Sequence, residues 1–170
     1  AMGEDDPLVA AALELNAYNL MLMERYDEAE AMLRRAMTIT DRPSTRSNLG
    51  RCLHRRGKLE EAETVLQEAL KMAEETDPDN ASVLADIFFY LSKIPRARGD
   101  HDQADRYLSR AVELRRSIAS ANDQQLLYYQ AVLQARTDPA AANDLLRRAL
   151  DLGWPPYAVD RETDFSGIDF

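Results

Sequence analysis

The side chains best suited to covalent or acid-base chemistry are Cys52, His54 and His101, and their spacing works against it. A thiolate-imidazole pair needs the two groups within hydrogen-bond reach. Cys52 and His54 are two residues apart in a segment that reads as helix, so they point about 200° away from each other. Cys52, between Arg51 and Leu53, reads as a structural thiol. Two histidines so far apart make no metal-ligand set, and there is no phosphate-cradling glycine loop and no nucleophile elbow. The chain is therefore expected to be no enzyme and to use no cofactor. Binding chemistry remains. Arg51, His54 and Arg55 stand at offsets 0, 3 and 4, which puts three donors on one helical stripe able to fork onto carboxylates.

That basic stripe sits in an acidic chain of 170 residues, 45% hydrophobic, with 30 acidic against 21 basic residues and a net charge of −9. Such a balance argues against nucleic-acid binding and against a basic membrane-surface role. No apolar run approaches the roughly 20 residues of a membrane span. One cysteine allows no intramolecular disulfide framework, and a reducing, cytoplasmic setting is expected. Residues 1–3, Ala-Met-Gly, read as a remnant of cloning.

The elements that must position these residues are visible as a repeat. Ala-x-x-x-Leu-x-x-Ala occurs four times: Ala29, Leu33, Ala36; Ala62, Leu66, Ala69; Ala104, Leu108, Ala111; and Ala142, Leu146, Ala149. Offsets of 0, 4 and 7 fall on one helical stripe whose alanines let a neighbouring helix approach closely. Successive copies start 33, 42 and 38 residues apart, room for two helices and two turns. Before each triplet lies a break: Arg25-Tyr26-Asp27-Glu28, Gly57-Lys58, Gly99-Asp100 and Thr137-Asp138-Pro139. Gly57 and Gly99 suit left-handed C-caps, Asp138 an N-cap and Pro139 a first helical turn. Between units come Asp41-Arg42-Pro43-Ser44, Thr76-Asp77-Pro78-Asp79-Asn80 and Ser120-Ala121-Asn122-Asp123. These signals predict helix pairs at 7–24 with 26–39, 44–56 with 59–76, 80–98 with 101–118, and 122–136 with 139–152. Pro95 falls inside the fifth helix, where it removes a hydrogen bond to the Leu91 carbonyl and is expected to kink or shorten it, or to sit near its end.

With Leu49, Gly50 and Leu53 in a first helix, followed by Gly57, Ala62, Leu66 and Ala69, the second unit resembles the tetratricopeptide repeat family. The other first helices are degenerate: Asn16, Ala17 and Leu20; Leu91, Ser92 and Pro95; Tyr129, Gln130 and Leu133. The 42-residue step resembles the longer-helix variant found in kinesin light chains and bacterial tandem arrays. The resemblance implies an all-α, right-handed superhelical solenoid of about four helix-turn-helix repeats over residues 4–152, serving protein-protein interaction. It also implies that first helices line a concave binding face.

On that face the candidate peptide-binding residues are Tyr18, Met21, Arg51, His54, Arg55, Phe89, Lys93 and Arg96, a groove basic in its middle and apolar at one end. The expected partner is another protein, through an acidic or amphipathic segment, with guanidinium groups on carboxylates and Tyr18 or Phe89 taking an apolar side chain. Glu14 and Asp86 are candidates to neutralise part of that charge. The family's carboxylate clamp for chaperone tails is not expected. Asn48 matches it, but Glu14, Tyr18, Asp86 and Tyr90 replace its basic and amide groups.

Residues 153–170 break the repeat. Trp154, Tyr157 and Phe165 are expected to cover the last apolar face as a C-terminal cap. Alternatively this acidic, aromatic tail occupies the basic groove of its own or a neighbouring chain. A structural or oligomerisation role through the ends, the convex face or the tail is the alternative to peptide binding.

Overall fold

The chain enters its first helix at Asp6, whose carboxylate accepts the Leu8 amide at 2.9 Å, and Pro7 occupies the first turn. The computed structural model describes residues 6–120, 123–155, 159 and 165. Along them run α1 (Pro7–Leu22), α2 (Tyr26–Ile39), α3 (Pro43–Arg55), α4 (Leu59–Thr76), α5 (Ala81–Ala97), α6 (His101–Ile118), α7 (Gln124–Gln134) and α8 (Pro139–Asp151). No strand occurs among the described residues. The boundaries agree with the expected pairs to within two residues, and the fold is the all-α helical repeat expected from sequence. None of the described helices is long and apolar enough to cross a membrane.

The turns explain where the helices stop. Gly57 and Gly99 adopt φ of +73° and +83°, and the next amides, Lys58 and Asp100, donate back to the Leu53 and Pro95 carbonyls at 3.0 and 2.8 Å. This is the left-handed closure expected of both glycines. In the first hairpin Glu24 takes the same position at φ 58°, with Arg25 donating to the Leu20 carbonyl at 2.9 Å. The last hairpin turns differently: the Asp138 carboxylate caps α8 through the Ala141 amide at 3.0 Å, with Pro139 in the first turn. Pro95 lies two residues before the end of α5, where one missing amide is tolerated.

The helices group into a first unit ending at Val83 and a second starting at Leu84. In the first, α1 packs on α2, α2 on α3 and α3 on α4. All three residues of both of its alanine-leucine triplets are fully buried. Gly50 shows why a glycine follows Leu49: a Cβ there would lie 2.4 Å from Leu66 Cγ, so α3 and α4 meet at glycine contact. In the second unit α6 packs on α7 and α7 on α8, while α5 meets α6 through the Phe88 and Tyr107 rings, 6.2 Å apart.

The second unit's core is aromatic. Phe89 stacks on Tyr129 at 4.1 Å, and Tyr128 is covered by Trp154 at 4.7 Å and by Phe165 at 6.0 Å. Trp154 and Phe165 thus lie over the last first-helix of the array. Tyr157, expected at the same task, falls outside the described residues, as do Ala121 and Asn122.

Candidate functional site

In the first unit, α1 and α3 run side by side and bring Tyr18 and Arg51 together. The Arg51 guanidinium carbon lies 5.5 Å from the Tyr18 ring centroid, within cation-π range. His54 is half-buried and Arg55 is exposed, each one turn beyond Arg51 on α3. Glu14 lies below this pair. Its Oε1 accepts from Thr45 Oγ1 at 2.8 Å and from Arg42, so it ties α1 to the start of α3. Arg42, outside the candidate stripe, is therefore the cation it neutralises.

Two residues of this face had not been foreseen. Leu8 and Leu15 are each 65% exposed, and with Ala11, Tyr18 and Leu22 they form a stripe at spacings of three and four along α1. The signal was present: α1 carries Glu14 as its sole charged residue, and its seven-residue leucine spacing is not the packing pattern that buries Ala10, Ala17 and Leu20.

The second unit treats its candidates differently. Phe89 and Lys93 are each only 5% exposed, with the Lys93 ammonium 4.6 Å from the Phe89 centroid. Phe89 lies between Tyr129 and Tyr128 in the aromatic core. Met21, in the first unit, is equally buried. These three were expected to line an open groove and are instead packed: Phe89 shares one core cluster with Tyr128, Tyr129, Trp154 and Phe165, Lys93 lies against Phe89, and Met21 is in the core of the first unit. Arg96 is also largely enclosed. Its Nη2 lies 3.6 Å from Asp105 and its Nε has no hydrogen-bond partner. Asp105 also accepts from Arg136 at 3.0 Å.

Asp86, on α5, reaches across to α7. Its Oδ1 accepts from the Tyr129 hydroxyl at 2.7 Å and from Gln125 Nε2 at 2.5 Å. Burial first, and then the Asp86 charge, push the Tyr129 phenol well above its ordinary pKa, so it stays a neutral donor.

Cys52 is fully buried and its Sγ lies 3.3 Å from the Tyr26 carbonyl, to which it donates. Burial, reinforced by the Glu30 charge, pushes the thiol up to about 11, against the smaller pull of Arg56, Lys58 and Arg51. Such a thiol is a packing group and not a nucleophile. No group of three or more histidine, cysteine or acidic side chains among the described residues is arranged to hold a metal ion.

The strongest ionic constellation lies away from the candidate face. Glu30, 7% exposed on α2, accepts from Arg34 Nε at 2.9 Å, from Lys58 Nζ at 3.1 and 3.3 Å, and from Arg56. Burial alone would raise its pKa, but these three cations hold it down at about 2. Its partners come from α2, the end of α3 and the turn into α4, so one carboxylate joins two hairpins.

A comparison with protein families matches residues 8–75 and 41–117 to the model described as tetratricopeptide repeat. No curated protein matches the chain.

Proposed function

The chain belongs to the tetratricopeptide repeat family, whose repeats mediate protein-protein interaction, and on that premise we propose that its α1–α3 face binds an acidic, amphipathic segment of another protein. Leu8, Leu15 and Tyr18 supply an apolar wall, and Arg51, His54 and Arg55 supply donors along its edge. The observation that carries this reading is the Arg51 guanidinium laid over the Tyr18 ring at 5.5 Å, beside two leucines that are 65% exposed. The ring holds the guanidinium in place by a cation-π contact on the same face as the two leucines. Exposed leucines at heptad-like spacing match the apolar positions of an incoming helix. An acidic partner meets local positive charge in a chain that otherwise repels it, which makes the site selective for register.

Arg51→Glu with Arg55→Glu tests this. Both chains would be used to capture partners from native lysate after equal helicity and equal unfolding temperature are established. Partners retained by the wild type through an acidic amphipathic segment, and weakened at least tenfold by the double variant (about 1.4 kcal/mol), are expected. An unchanged set of partners would move the binding surface away from this face.

A further inference from the structure

A separate place in the first unit joins a cavity to a helix end of the wrong charge. The cavity, about 200 Å³, lies between the turn that opens α3 and the turn that follows α4. Pro43, Val83 and the buried Ala73 give it an apolar lining, and the exposed Thr76 and Asp77 stand at its edge. Asn80 Nδ2 donates to Asp77 Oδ2 at 3.0 Å, while Asn80 Oδ1 accepts the Val83 amide at 3.2 Å, so the carboxylate is fixed beside the cavity. Arg42 also lines it, but its charge is taken by Glu14. The last turn of α4 carries Glu74 and Glu75 and no basic residue, and Asp77 and Asp79 follow. Carboxylates there face the negative end of the helix dipole. Lys71 answers Glu75 at 3.9 Å, with the two side chains 77% and 65% exposed, so solvent screens that pair.

We propose that this cavity takes a lysine side chain of another protein, with the methylene stem against Pro43, Ala73 and Val83 and the ammonium beside Asp77. Three features support the assignment. The volume lies below the roughly 300–1,000 Å³ of sites that enclose a whole small molecule, and suits a single side chain. An apolar lining with a carboxylate at its edge matches an alkyl stem that keeps its charged head towards water. An incoming cation also brings the missing sign to the end of α4, where four carboxylates fall within residues 74–79. Lysine fits better than arginine. With Oδ2 already accepting from Asn80, Asp77 suits a compact point charge rather than a two-pronged fork. The site takes the opposite charge to the one proposed for the α1–α3 face and does not rest on that reading.

The test titrates the isotope-labelled full chain with Nα-acetyl-lysine N-methylamide and follows the backbone amide resonances. Saturable shifts are expected at Ser44, Ala73, Asp77, Asn80 and Val83, with half-saturation at about a millimolar, as befits so small a probe. The norleucine analogue keeps the four-carbon stem without the ammonium, and should bind about tenfold more weakly. The arginine analogue should also bind several-fold more weakly than the lysine probe. Asp77→Asn removes only charge from an exposed side chain and can still accept from Asn80, so folding should be intact by circular dichroism. It should lower the affinity for the lysine probe by about tenfold and leave that for the norleucine analogue unchanged. Ala73→Val, which adds volume to the lining, should weaken both probes while the melting temperature confirms the fold. Equal affinities for the lysine and norleucine probes, or for wild type and Asp77→Asn, would overturn the proposal. So would shifts that spread over the acidic surface without saturating, which would mean counterion attraction with no site. Binding of the arginine analogue as tight as that of lysine would overturn the choice of occupant.

Discussion

Replacing Glu30 by Gln tests the electrostatic argument most directly, because it keeps the shape of the side chain and removes only its charge. Glu30 is held at about 2 against an ordinary carboxylate value of 4.5, a depression of about 2.5 pKa units. At about 1.4 kcal/mol per unit that is roughly 3 kcal/mol of preferential stabilisation of the ionised, folded state. The carboxylate side chain is 9% exposed, but its partners Arg34, Lys58 and Arg56 are 46%, 39% and 27% exposed, so solvent takes back part of it. A loss of about 1–3 kcal/mol at pH 7 is expected, measured by urea unfolding followed by circular dichroism. The sign follows from the depressed pKa. The contribution is complete above about pH 4.5, declines as the pH falls from there towards 2, and is gone below both values. The gap between wild type and Glu30→Gln should therefore be constant from pH 7 to 5 and should close by more than half at pH 3. Other carboxylates titrate in both proteins, and the difference cancels them. A gap that keeps its pH 7 size at pH 3, or one below about 0.5 kcal/mol at pH 7, would refute the account, since three cations on one buried carboxylate would then contribute nothing through its charge.

Two further predictions concern the backbone. Gly50→Ala places a Cβ 2.4 Å from Leu66 Cγ and 2.6 Å from Leu66 Cδ2, forcing α3 and α4 apart, and should destabilise by about 1–3 kcal/mol in thermal unfolding; in the Leu66→Ala background the same change should be close to neutral. Glu24→Gly relieves a left-handed residue at φ 58° whose side chain is exposed, and should raise stability by about 0.5–1 kcal/mol, seen as a melting temperature higher by a few degrees. No gain would mean that the turn relaxes without glycine.

The hairpins were legible because their signals are local and redundant. Each triplet states a packing face, and each break carries a residue chosen for φ or for its carboxylate, as at Gly57, Gly99 and Asp138. The candidate site was only partly legible. Arg51, His54 and Arg55 could be placed on one stripe by spacing alone, whereas the contact of Arg51 with Tyr18 of α1 needed the structure. Exposure could not be read in the same way. Lys93 stands where the second repeat has Arg51, and Phe89 one turn before it, yet both are buried, and Phe89 shares its core cluster with Tyr128, Tyr129 and Phe165, which lie far along the chain. Glu30 was missed for a related reason. Nothing near it in sequence shows that Arg56 and Lys58, from the next hairpin, converge on it.

The two units therefore put a cation over an aromatic ring at the same place in the repeat, and the surroundings alone decide what the pair does. Arg51 lies over Tyr18 from the preceding hairpin, on a face where Leu8 and Leu15 remain in solvent. Lys93, only 5% exposed, lies over Phe89, four residues earlier on its own helix, and Phe89 in turn stacks on Tyr129 of α7. An ammonium loses more hydration on burial than a guanidinium, so Lys93 requires compensation from the groups that cover it. The first unit keeps the same combination on a face with exposed leucines, with a more weakly hydrated guanidinium that needs less compensation.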